Sequence, residues 1–165
     1  MKKITNILTI VLVLLIVVQV GMMFLPYFNF QLPKVKDESK TVYNMQEYIW
    51  VYCEEMTDYL EGVIDGYKIN DYAMPLVGVN LFALVAFLFN IFSRKRGLFT
   101  QVFSLAWGVA TPIFFLGCKI LPYGNTSIQM ACVAISFVGL AVAAARTCTW
   151  FIAWQQKRKA LKAAQ

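Results

Sequence analysis

Glu54, Glu55 and Asp58 form the densest run of chemistry-bearing side chains in this sequence. On a helix the four-residue spacing of Glu54 and Asp58 would set two carboxylates side by side. Paired carboxylates can hold a divalent cation or share acid and base work in hydrolysis. The first use requires an oxygen-rich cage, but the D-x-D-x-D-G calcium spacing is absent and Asp65-Gly66 alone is a turn signal. The second lacks its usual partner, because the chain has no histidine, the commonest general base and metal ligand. Four cysteines, Cys53, Cys118, Cys132 and Cys148, offer thiol chemistry, yet no two are spaced as a C-x-x-C redox pair. Cys118 and Cys132 lie at similar depth on either side of a turn; a disulfide between them and two small apolar residues in a packed bundle both remain open. The expectation is a protein without catalysis, metal or cofactor.

The elements that carry these residues are membrane elements. Of 165 residues, 59% are hydrophobic and 15% charged, and the mean hydropathy is +0.61. Soluble domains carry roughly a quarter charged residues. All acidic residues lie between Asp37 and Asp71, whereas the basic clusters Lys2-Lys3, Arg94-Lys95-Arg96 and Lys157-Arg158-Lys159 lie outside that stretch. The net charge of +6 is therefore distributed as a topology marker, not as a nucleic-acid face.

Four apolar runs reach the length of about 20 residues that a spanning helix needs. They predict helices over 4–25, 74–93, 98–121 and 127–152, with an outer loop over 27–75, an inner turn over 94–97, an outer turn over 122–126 and a tail over 153–165. Pro112 should kink the third helix. The three basic blocks fall on one side, which the positive-inside rule makes the cytoplasm, so both termini are expected there. Lys2-Lys3 and the following apolar run also suit a secretory signal, but the run continues through Met22, Met23, Phe24 and Leu25 without an A-x-A-like site, so a retained anchor is expected. The fold class is thus an all-α integral membrane bundle of four helices in a single domain, multi-pass in the cytoplasmic membrane.

Within the outer loop, Met45, Ile49, Tyr52, Met56, Tyr59 and Val63 recur at helical spacing, and Glu47, Glu54, Asp58, Glu61 and Asp65 occupy another face. This predicts one amphipathic helix over about 44–62, opened by an Asn44/Glu47 capping box and closed at Gly62 or Gly66. Its acidic face could simply be solvated, or could dock a partner through Tyr48, Trp50, Glu54, Glu55, Asp58 and Glu61.

Polar groups inside the spans are costly in lipid and usually turn toward the bundle. Counting depth from the turns pairs Asn90 with Gln101 near the inner surface and Gln19 with Asn80 near the outer one, as interhelical hydrogen bonds or a polar route. Lys119 and Arg146, each near an interface, are expected to snorkel to water. Gly139 with Ala143, and Ala106 with Ala110, offer small faces for close helix approach.

The layout of four spans, a long first outer loop and a short second one resembles the claudin-like tetraspan arrangement in topology. That family's loop carries a W-x-x-x-W-like signature followed by two cysteines, whereas this loop has only Trp50 and Cys53, so no residue role is carried over. Small four-helix thiol-oxidoreductases and drug exporters share the helix count, but their outer C-x-x-C pairs and membrane-embedded glutamate are absent. The short basic start and compact loops have a bacterial style. The expected function is an accessory or scaffold subunit that meets a protein partner, or another copy of itself, through the acidic outer segment. The alternative is a small transporter or channel-like subunit using Asn80, Asn90, Gln101 and Lys119. A thiol-redox role ranks below both. The lipid bilayer is an expected partner and nucleic acid is not.

Overall fold

The computed structural model describes residues 2–29, 41–63, 65–92, 97–117 and 124–163. Its order is α1 (Lys2–Met22), β1 (Phe28–Asn29), β2 (Val42–Tyr43), α2 (Met45–Trp50), α3 (Cys53–Val63), α4 (Ile69–Phe92), α5 (Leu98–Gly117) and α6 (Thr126–Ala163). Helices α1, α4, α5 and α6 are long and apolar enough to cross a membrane. They close into a ring, α1 against α4, α4 against α5, α5 against α6 and α6 against α1.

Element boundaries differ from expectation for local reasons. The first helix ends at Met22 instead of residue 25, because Pro26 disfavours helical backbone before it. The chain tightens there, with Met23, Phe24 and Leu25 donating to the carbonyls three residues back. Helix α4 starts at Ile69, five residues before the expected residue 74, and takes in Pro75; α5 likewise runs through Pro112. Helix α6 does not stop at residue 152. It continues through the expected tail to Ala163, since no glycine or proline follows Gly139 and the tail consists of strong helix formers. At 1.5 Å per residue it is about 57 Å long, well beyond a hydrocarbon core of about 30 Å.

The outer segment is folded onto the bundle. The predicted capping box is present: Asn44 Oδ1 accepts from the Glu47 amide at 2.8 Å, and Glu47 Oε2 accepts from the Asn44 amide at 3.0 Å. The single helix expected over 44–62 is instead two, broken where the Val51 and Tyr52 amides both converge on the Glu47 carbonyl. The apolar stripe survives the break. Met45, Ile49 and Met56 are buried, Tyr52 and Tyr59 partly so, but Val63, in the last turn of α3, is exposed. Gly62 lies within α3, and the turn after it uses Gly66, whose φ of 69° favours glycine.

Two short strands complete this cap. Phe28 pairs with Tyr43 and Asn29 with Val42, antiparallel, while Phe28 also bridges to Gly124 before α6. The Asn125 amide donates to the Tyr27 carbonyl at 2.9 Å and the Met45 amide to the Met23 carbonyl at 3.1 Å. One apolar cluster therefore runs from Tyr27, Phe28, Tyr43, Met45, Tyr48, Met56 and Leu60 of the cap into Leu76 and Val79 of α4, Phe114 and Phe115 of α5, and Cys132 and Val133 of α6. A second, deeper cluster gathers Leu12, Ile16, Ala83, Ala86, Trp107 and Ala143.

Close approach of α5 and α6 depends on two glycines. A Cβ on Gly139 would enter the Trp107 ring, and one on Gly108 would sit 2.9 Å from Leu140 Cα. The small face of α5 is thus Gly108, Ser104 and Thr111; Ala106 and Ala110, expected in that role, are only partly buried. Gly108→Ala should lower the stability of the detergent-solubilised protein by about 1–3 kcal/mol, seen as a reduced Tm. Gly78→Ala, where the added Cβ meets nothing within 4 Å, should leave Tm unchanged.

Candidate functional site

Arg146 does not snorkel. Its side chain is fully buried (0% exposed) and turned inward against α4 and α5. The reason lies in helical phase: Cys132, Ser136, Gly139, Ala143 and Arg146 recur at steps of three and four on the face of α6 that is buried in the bundle. A guanidinium on that face needs acceptors in place of water, and four are supplied. Nε donates to Gln101 Oε1 at 3.1 Å, Nη1 to Asn90 Oδ1, and Nη2 to the Thr100 carbonyl at 3.1 Å and to Ser104 Oγ at 2.8 Å. All four of these acceptors are uncharged.

The acceptors are themselves anchored. Asn90 Nδ2 donates to the Ala86 carbonyl at 2.6 Å and to Ser104 Oγ at 3.0 Å, and Ser104 Oγ donates to the Thr100 carbonyl at 2.6 Å. Thr147 Oγ1 donates to Gln101 Oε1 at 3.3 Å and to the Ala143 carbonyl at 2.8 Å. Asn90 and Gln101, matched by depth in the sequence, are therefore brought together, with Arg146 as the bridge. The signal in the sequence is phase: nearness to an interface suggests snorkelling, whereas the three- and four-residue steps back through Ala143 and Gly139 place Arg146 on the small-residue face.

The other expected pair is not formed. Asn80 Oδ1 accepts from Gln46 Nε2 of the cap at 2.8 Å, and Asn80 Nδ2 donates to the Leu76 carbonyl at 2.9 Å. Gln19 is fully buried and neither its amide nitrogen nor its oxygen has a hydrogen-bond partner; the same holds for Trp107 Nε1, Thr100 Oγ1 and Gln101 Nε2. Gln129, in the first turn of α6, accepts from the Tyr27 hydroxyl at 3.1 Å and donates to the Phe115 carbonyl, tying cap to bundle. Lys119 and Cys118 lie outside the described residues.

On the cap, Tyr48 is a core residue. It is fully buried, its hydroxyl 2.6 Å from that of Tyr67 and 3.3 Å from Thr57 Oγ1, so its hydroxyl is used inside the cap, away from any docking face. Glu54, Asp58 and Glu61 are exposed, Glu55 is half-buried, and Trp50 is 67% exposed with Nε1 donating to Gln46 Oε1 at 2.9 Å. Among the described residues no three His, Cys, Asp or Glu side chains are grouped to hold a metal. Cys53, Cys132 and Cys148 are free thiols: Cys53 opens α3 of the cap, Cys132 is buried in the cap-side cluster of α6, and Cys148 is exposed more than four turns further along that helix.

No protein-family model matches the chain, and no curated protein or solved structure is similar enough to count as a relative. The class that fold and site define is a bundle of four helices long and apolar enough to cross a membrane, covered at one end by the segment between its first two long helices and tied near the other by the hydrogen bonds of a buried arginine.

Arg146→Lys keeps the charge but loses the planar fork that reaches α4 and α5 together. The expected loss is about 1–3 kcal/mol, measured as lower Tm in detergent. A double-mutant cycle with Asn90→Ala should give a non-zero coupling energy, because the two side chains share one network.

Proposed function

We propose that this protein is a non-catalytic accessory or scaffold subunit of the cytoplasmic membrane, with both termini in the cytoplasm and its cap meeting a protein partner outside. One observation carries the reading. The Met, Ile and Tyr side of α2 and α3 is consumed in covering the bundle, so the acidic side, Glu54, Asp58 and Glu61, is left exposed on a packed base. A surface that is fixed in place binds with less ordering cost than a free loop. Its chemistry suits a basic partner surface, because complementary charge accelerates encounter and sets register. The segregation of basic from acidic residues along the sequence supports the orientation.

A second reading, a small solute carrier, has Gln19 on its side: an amide buried in a spanning helix with no partner is the kind of group that meets a solute or water. The two readings separate experimentally. Charge reversal at Glu54, Asp58 and Glu61 together should abolish in-membrane crosslinking from a Thr41→Cys probe to a neighbouring protein while membrane insertion and Tm are kept; retained crosslinking overturns the subunit reading. Gln19→Leu should then leave partner crosslinking intact, and a change in solute flux in proteoliposomes would favour the carrier.

A further inference from the structure

The seam between α1 and α4 is the loosest of the four in the ring. An apolar groove with a volume of about 410 Å³ opens there, within the range of small-molecule pockets. Val17 and Val20 of α1 face Ala83, Leu84 and Phe87 of α4 across it, and Trp50 and Asn80 stand at its capped end. From Asn80 to Phe87 the helix rises about 10 Å.

Polarity changes along this length. At the capped end Trp50 Nε1 donates to Gln46 Oε1, Gln46 Nε2 donates to Asn80 Oδ1, and Asn80 Nδ2 donates to the Leu76 carbonyl. A primary amide has two N–H groups, so Asn80 keeps one for an acceptor in the groove. Below that level the lining is wholly hydrocarbon. The rims, Val17, Leu81 and Leu84, are about half exposed, at 49%, 55% and 52%, on helices long and apolar enough to cross a membrane, so in a bilayer the groove would open sideways toward lipid.

We propose that this groove binds one acyl chain of a bilayer phospholipid, with an ester carbonyl accepting from Asn80 Nδ2 and the glycerol region against the Trp50 indole. The polarity gradient matches that of a lipid in the leaflet at the capped end, polar at the membrane surface and apolar toward the midplane. Tryptophan is a usual residue at that interface. A partner helix is at least 10 Å across. An acyl chain is narrower and needs no backbone hydrogen bonds from the groove.

The test reconstitutes the full chain in phosphatidylcholine vesicles doped with phosphatidylcholine carrying a mid-chain diazirine, and maps photo-adducts by mass spectrometry. Adducts should concentrate on Val20, Ala83 and Phe87 severalfold over Ile10 and Ile113, which are exposed on spanning helices away from the groove. Val20→Trp, or Leu84→Trp should the first fail to fold, should remove adducts from Ala83 and Phe87 while Ile113 labels as before. Asn80→Ala should reduce phospholipid carried through detergent purification about threefold, the effect of one intramembrane hydrogen bond. Equal labelling of groove and open surface, or unchanged labelling in both filled variants, overturns the proposal. Adducts replaced by crosslinks to a second polypeptide would overturn it in favour of a helix.

Discussion

A guanidinium sealed among apolar helices must have its donors met by the protein, because hydrocarbon offers none. Arg146 satisfies this by reaching two other helices at once: Asn90 at the end of α4, and Gln101, Ser104 and the Thr100 carbonyl at the start of α5. These contacts tie the relative height of three spans. Sliding any one helix by a turn would leave a charged donor facing lipid, an expensive outcome, whereas sliding a purely apolar seam costs little. Register at this end of the bundle is therefore set by polar chemistry, and Gly108 and Gly139 permit the close approach that lets the fork reach.

The opposite end is held by different means. There the outer segment supplies backbone pairs to the chain before α6 and a plug of aromatic and methionine side chains to the tops of the helices. Tyr27 joins both systems, its ring lying against Gly124 and its hydroxyl bonded to Gln129. Since the cap is closed over α4, α5 and α6, the loosest place left is the α1–α4 seam. The same Gln46 side chain that docks the cap on Asn80 also holds Trp50 over that seam. Cap docking and the shape of the groove between α1 and α4 are consequently one structural matter.

Functional surfaces follow from what each face has already used. Tyr43, Tyr48, Met45 and Met56 are taken up by the cap interior, whereas Glu54, Asp58 and Glu61 on the other side of α3 stay exposed. Asn90 and the Gln101 carbonyl oxygen are similarly engaged with Arg146, while among the described residues both polar atoms of the Gln19 amide, and Nε2 of Gln101, have no hydrogen-bond partner.

Much of the architecture was legible in the chain. Apolar run length located four helices long enough to cross a membrane, and the Asn44/Glu47 spacing located the start of a helix outside them, because these signals depend on neighbours a few residues apart. Tertiary structure alone decided the rest. Whether Arg146 turned to water or inward depended on which side chains α4 and α5 offered at that depth, and whether Tyr48 was surface or core depended on Phe28, Thr57 and Tyr67 closing around it from other parts of the cap. Neither set of partners is adjacent in sequence. Side-chain direction at such positions is set by the acceptors and apolar surfaces that folding brings within a few ångströms, a quantity that periodicity along one helix does not contain.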